Sequence, residues 1–185
     1  MRRLPIIVGA VLALGVLSSV AAVQFVAPPA DGRRAAAWRE IAWPFPRDGW
    51  PAGRAFRCVS AACGGTAEIY VRPKLGFCNC DTGVADDDEV DRVADIDLIS
   101  ERFAPLAPGK VVRIAELSGR SRSYDLDMGG GARHAAVGIA MSHRCNLLVA
   151  VAQGEGRPPE LQRAALDFLT SNEMTHWMMA ALGGR

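Results

Sequence analysis

Apolar and polar positions divide the chain into three unequal parts. The first is a run without a charged residue from Leu4 to Val23, preceded by Arg2 and Arg3 and tailing off through Gln24, Phe25 and Val26. Twenty residues of helix reach about 30 Å, the thickness of a bilayer's hydrocarbon core, so residues 4–26 predict a membrane-spanning segment. The arginine pair ahead of it favours a cytoplasmic N-terminus and export of the chain beyond the segment. The same stretch also fits a cleaved signal, with Leu4 to Leu17 as apolar core and Ser18, Ser19, Val20, Ala21 and Ala22 as the small residues before a cut. Apolar character continuing through Val23, Phe25 and Val26 favours the uncleaved anchor. The expectation is a single-pass inner-membrane protein with its domain in the periplasm; the alternative is cleavage and a soluble periplasmic protein. Residues 1–27 are the anchor or signal in either reading.

Residues 28–54 hold Trp38, Trp43, Phe45 and Trp50 among Pro28, Pro29, Pro44, Pro46 and Pro51. Proline opposes a regular ladder there, so an extended tether is expected to lay its tryptophans on the domain. Residues 55–185 then read as a single α+β domain. Ala55 to Val59 and Ala67 to Arg72 predict strands around the Gly64-Gly65 turn, and Val111 to Leu117 with Arg120 to Asp127 predict a hairpin through Ser118-Gly119. The second arm of that hairpin alternates Arg, Ser, Arg, Ser, which suits an edge or a ligand surface better than a central position. Ala135 to Met141 and Cys145 to Ala152 are apolar on both faces, as central strands covered on two sides should be.

Two kinds of helix are expected around these strands. Between Asp81 and Glu101 nine acids face one base, Arg92. Asp86 or Asp87 can cap a helix there, with Val90, Val93, Ala94 and Leu98 inward and a charged face toward solvent. Near the C-terminus, Pro158 and Pro159 open a helix whose stripe is Leu161, Ala165, Phe168 and Leu169. Thr170 with Glu173 reads as a capping box for a second helix striped by Met174, Trp177, Met178, Ala181 and Leu182. The predicted fold is therefore α+β, with a mainly antiparallel sheet of five to six strands, an acidic middle helix and C-terminal helices packed on one face.

Charge adds an exclusion. Beyond Arg2 and Arg3, 19 basic residues stand against 20 acidic ones, scattered rather than clustered, so nothing draws this domain to nucleic acid. The cysteines add a framework. Cys58, Cys63, Cys78 and Cys80 crowd into 23 residues and Cys145 stands apart. In an oxidising compartment such crowding means disulfides, with the pairing left open. Cys78 and Cys80 would share a strand face and so reach different partners. Cys145 is then the spare thiol, and His143, two residues before it, is the candidate base beside it, against a plainer reading as strand-end histidine and buried cysteine.

Metal chemistry finds little purchase. The cysteine spacing does not match zinc, whereas the soft Cys78-x-Cys80 pair suits copper or thiol exchange. His176 lies among Met174, Met178 and Met179, but two of these methionines belong to the core stripe. A calcium loop starting at Asp81 would put Gly83 and Ala85 at ligand positions, and Gly129 to Gly131 lack the residues of a phosphate loop. His134, His143 and His176 have no triad spacing. The expected function is an exported, membrane-tethered periplasmic domain of non-catalytic binding or accessory type, stabilised by disulfides, needing no cofactor and binding a protein partner or a small ligand. The alternative is a periplasmic thiol-redox or copper-handling protein using Cys78 and Cys80.

Overall fold

A computed structural model describes residues 37–46, 48–76 and 79–183. The expected anchor or signal and Cys78 lie outside the described residues; among these, no helix is long and apolar enough to cross a membrane. Eight strands form one sheet: β1 (Trp38–Ile41), β2 (Arg54–Ser60), β3 (Gly65–Lys74), β4 (Phe103–Pro105), β5 (Lys110–Ile114), β6 (Leu117–Asp127), β7 (Arg133–His143) and β8 (Asn146–Gly154). All pairs are antiparallel, in the order β1-β2-β3-β8-β7-β6-β4, with β5 also on β6. The sheet exceeds the expected five to six strands because it gains β1 and β4. Both are edge strands of three or four residues, too short to carry a period-two signal.

Alternation along the central strands gives the sheet two apolar faces. On one, Ile69, Val71, Ile139, Leu148 and Ala150 pack under helices α2 (Pro158–Leu169) and α3 (Asn172–Gly183). Leu161, Ala165, Phe168 and Leu169 are all buried there, as their spacing predicts. The helix junction sits one residue later than expected. Thr170 closes α2 by donating its hydroxyl to the Leu166 and Asp167 carbonyls, while the Ser171 Oγ accepts from Met174 N at 3.4 Å. Glu173 is thereby left for Arg54, whose Nη2 lies 3.1 Å from its carboxylate.

On the other face, Tyr124, Leu126, Ala140, Val149 and Val151 pack under helix α1 (Asp87–Val93) and the single turn Ile96–Leu98. Asp86 caps α1 by accepting from Glu89 N at 2.9 Å. The acids of α1 do not all face solvent, contrary to expectation. Asp87 accepts from Arg120 Nη2 at 2.7 Å and from Gly109 N at 2.8 Å; Asp91 accepts from Arg122 Nη1 at 2.7 Å and from the Tyr124 hydroxyl at 2.6 Å. Residues four apart on a helix and two apart on a strand thus meet in register. The polar alternation of β6 is this interface. Arg120 and Arg122 serve α1, and Ser121 on the opposite face receives Gln162 Nε2 at 2.7 Å. β6 lies inside the sheet, next to β7, instead of at its margin. Its hairpin with β5 turns at Ala115-Glu116, with Ala115 at φ 51°, and Gly119 belongs to the strand. A Cβ on Gly119 would run into the backbone of Ala140 and Met141 on β7, so closeness to a neighbour, not a turn, demands glycine here.

Residues 42–46 and 48–53 lie over the middle of this second face. Trp43 and Phe45 stand edge-on to Tyr70, with ring centres 6.2 and 4.7 Å away. Beneath them is a buried ionic cluster: Arg72 donates to Asp48 Oδ1 and Oδ2 at 2.9 and 2.7 Å and to Asp95 Oδ2 at 2.6 Å, while Lys74 Nζ donates to Asp95 Oδ1 at 2.6 Å and Val93 O at 2.9 Å. The hydrogen bonds from Arg72 hold the Asp48 carboxyl down, from 3.8 to about 2.

Candidate functional site

Helices and residues 42–46 and 48–53 cover most of the sheet but leave the second face of β1, β2 and the adjoining ends of β3, β8 and β7. The register dictates what stands there. Arg39 on β1 is directly opposite Arg57 on β2, which is opposite Glu68 on β3, which is opposite Gln153 on β8. A polar row therefore crosses four strands and continues to His134 on β7.

Within the row, Arg57 Nε donates to Glu68 Oε1 at 2.7 Å, and the Tyr70 hydroxyl donates to Glu68 Oε2. Gln153 Nε2 reaches Glu68 Oε2 at 3.2 Å and the Tyr70 oxygen at 3.3 Å, and Gln153 Oε1 lies 3.5 Å from His134 Nδ1. Burial pushes the Glu68 carboxyl up, and the hydrogen bonds from Tyr70 and Arg57 outweigh it, so the group sits below its ordinary value. Burial, followed by the bond to Glu68, pushes the Tyr70 phenol up. Glu68 is thus held ionised and Tyr70 protonated. Neither is tuned to exchange a proton near neutrality, so this arrangement orders a surface.

Arg39 differs from its neighbours, its side chain having no hydrogen bond or salt bridge to any described residue. It stands beside Arg57 across the strand pair, like charge against like charge, with Glu68 as the one carboxylate bonded to either. Around the two arginines an open groove of about 550 Å³ runs along β1, lined on this face by Ala37, Arg39, Ile41, Arg57 and Val59. Val59 is 74% exposed. Among the described residues no strand pairs with the outer side of β1.

The cysteines pair as Cys58 with Cys63 and Cys80 with Cys145. Of the four cysteines expected in bridges, Cys58, Cys63 and Cys80 are in them, and Cys78 lies outside the described residues. Cys145 is not a spare thiol. The turn between β7 and β8 brings it to the loop after β3, where Cys80 bonds it, so His143 has no thiol beside it to activate; its Nδ1 lies 3.9 Å from Glu116. A sulfur in a disulfide is not a thiolate ligand, so the copper pair Cys78 and Cys80 loses one donor in this state. His176 is exposed whereas Met174 and Met178 are in the core, which separates that donor set. Among the described residues no three histidine, cysteine or carboxylate side chains group closely enough to hold a metal ion.

The arginine pair and the edge escape a reading of the sequence because they depend on which residues face each other across strands. The spacing of Glu68 and Tyr70, two apart in a strand, is the one local signal of the row. No protein-family model matches the chain, and no curated protein matches it. Among solved structures it is similar to a Pseudomonas aeruginosa protein of unknown function, at 12% identity and a TM-score of 0.39, over 69% of this chain and 88% of that one. That likeness assigns neither a family nor an activity.

Proposed function

We propose that this protein is an exported, membrane-tethered periplasmic domain that binds a partner protein and is not an enzyme. The observation that supports binding is the open edge of β1 beside a groove whose two arginines, Arg39 and Arg57, have one bonded carboxylate between them, on a surface where Glu68 is held ionised and Tyr70 protonated. Two disulfides support an oxidising compartment, and the apolar run of residues 4–26 supports tethering to the inner membrane.

The test uses the full chain in a bacterial host, carrying a photo-crosslinking amino acid at position 59. The chain should resist alkaline extraction from membranes, be digested by protease added to spheroplasts, and give a discrete cross-linked product. The same probe at position 106, at the far edge of the sheet, should give none. Recovery in the soluble cytoplasmic fraction, or a cross-linking pattern no different between the two positions, would overturn the reading.

A further inference from the structure

We propose that the edge of β1 takes up an extended segment of a partner protein as an added strand, and that this segment carries an acidic residue flanked two places away on each side by aliphatic residues. This rests on the binding role above and names the chemistry of the partner. On the groove face, two cross-strand pairs follow one another along β1 and β2, Ile41 with Ala55 and Arg39 with Arg57, and just beyond the end of β1 the groove is lined by Ala37 and the exposed Val59. The pattern is apolar, cationic, apolar. A strand laid against β1 presents alternate side chains to that face, so three of its residues at period two meet the two pairs and the apolar end beyond them. A carboxylate at the middle position meets Arg39, and neutralises the like-charge pair that the domain itself leaves unbalanced. Aliphatic residues on either side would cover Ile41 at one end and Ala37 with the exposed Val59 at the other.

Other occupants fit this surface less well. Residues 1–36 contain one acid, Asp31, and the residues two places from it are Pro29 and Arg33, which match neither flank. A second copy would pair β1 with itself. Its two centred antiparallel registers set Arg39 opposite Arg39 or Glu40 opposite Glu40, which is repulsive in either case.

The test measures fluorescence anisotropy of labelled nine-residue peptides with the full chain in detergent. One peptide has the core Val-Thr-Glu-Thr-Val, a second has Lys in place of Glu, and a third has Pro in place of both Thr. The Glu peptide should bind about tenfold more tightly than the Lys peptide, the scale of one charge-assisted hydrogen bond. The Pro peptide should lose binding, because strand addition needs backbone N–H groups. Arg39→Glu should reverse the preference between Glu and Lys, while Arg113→Glu, on the distant strand β5, should leave it intact.

Equal affinity for the Glu and Lys peptides, or binding by the Pro peptide, would overturn the proposal. So would complete displacement by inorganic phosphate or free glutamate at concentrations near the peptide's own, which would assign the arginines to a small anion. Binding to none of the peptides would overturn it as well, and would leave Arg39 as a charge that keeps the edge unpaired. If the position-59 cross-link forms in cells while the peptides fail, the binding role stands and this chemistry falls. A reversal by Arg39→Glu without any cellular cross-link would uphold the chemistry and sink the role.

Discussion

Asp95 is the carboxylate that Arg72 and Lys74 share beneath the covering of the second sheet face, and Asp95→Asn isolates its charge. The substitution keeps size and shape, and asparagine, like aspartate, tolerates the left-handed backbone found here at φ 60°. What it removes is the counter-charge to both Arg72 and Lys74, whose side chains are 3% and 6% exposed. Asp48 would remain as a carboxylate for Arg72, and it is 31% exposed, so solvent shares its charge. Breaking a buried pair by deleting one partner costs about 3 to 5 kcal/mol. The surviving Asp48 contact and the amide oxygen of asparagine place the expected loss at the lower end, about 3 kcal/mol. Urea denaturation followed by tryptophan fluorescence measures it, since Trp43 and Trp50 lie 5.8 and 5.9 Å from the two cationic groups. If losing the shared carboxylate causes the loss, adding Lys74→Met to Asp95→Asn should recover about 1 kcal/mol or more relative to additivity. A loss under about 1 kcal/mol for Asp95→Asn, or strict additivity in the double variant, would refute the idea that this cluster is a dry, mutually dependent unit.

Acid titration should expose the same cluster: Asp48 has its carboxyl lowered from 3.8 to about 2, so the stability it contributes is complete above pH 3.8 and lost as pH falls toward 2, and Arg72→Met should remove that part of the denaturation profile. Removing the Cys80–Cys145 bridge as a double alanine variant should cost about 4 kcal/mol and removing Cys58–Cys63 about 2 kcal/mol, because they close chain separations of 65 and 5 residues; equal midpoint shifts in urea would contradict the loop-entropy account. Phe168→Ala should cost about 3 to 5 kcal/mol, since the ring is buried between Trp38 and Phe56, whereas Arg57→Ala, half exposed, should cost about 1 kcal/mol or less by the same assay.

What could be read from the sequence was what depends on near neighbours. The stripe of α2, the Asp86 cap and the apolar strands β7 and β8 all come from periods of a few residues. The orientation of α1 did not, because its acids turn inward only when Arg120 and Arg122, some 30 positions later, stand opposite them. The same limit explains the cysteines: crowding pointed to bridges among the first four, but Cys80 found Cys145 at a separation of 65 through the β3–β8 pairing. Thr170 and Ser171 were equally good caps by chemistry, and the place where α2 stops decided between them. The candidate binding surface was the least legible part. Arg39 and Arg57 look like two scattered arginines among 19 until the register sets them face to face.

The pairing of β3 with β8 has a kinetic consequence. Those strands are central, yet Lys74 meets Leu147 only after α1 and strands β4 to β7 have been threaded between them. Closing such an excursion must be achieved before the ladder repays it, so this pairing is expected to form slowly. The Cys80–Cys145 bond spans almost the same excursion and sits at the same end of the ladder. A chain that has already formed it starts with that loop closed, so the oxidised protein should refold faster than the reduced one, and an oxidising compartment would act on this protein as an accelerant of its own assembly.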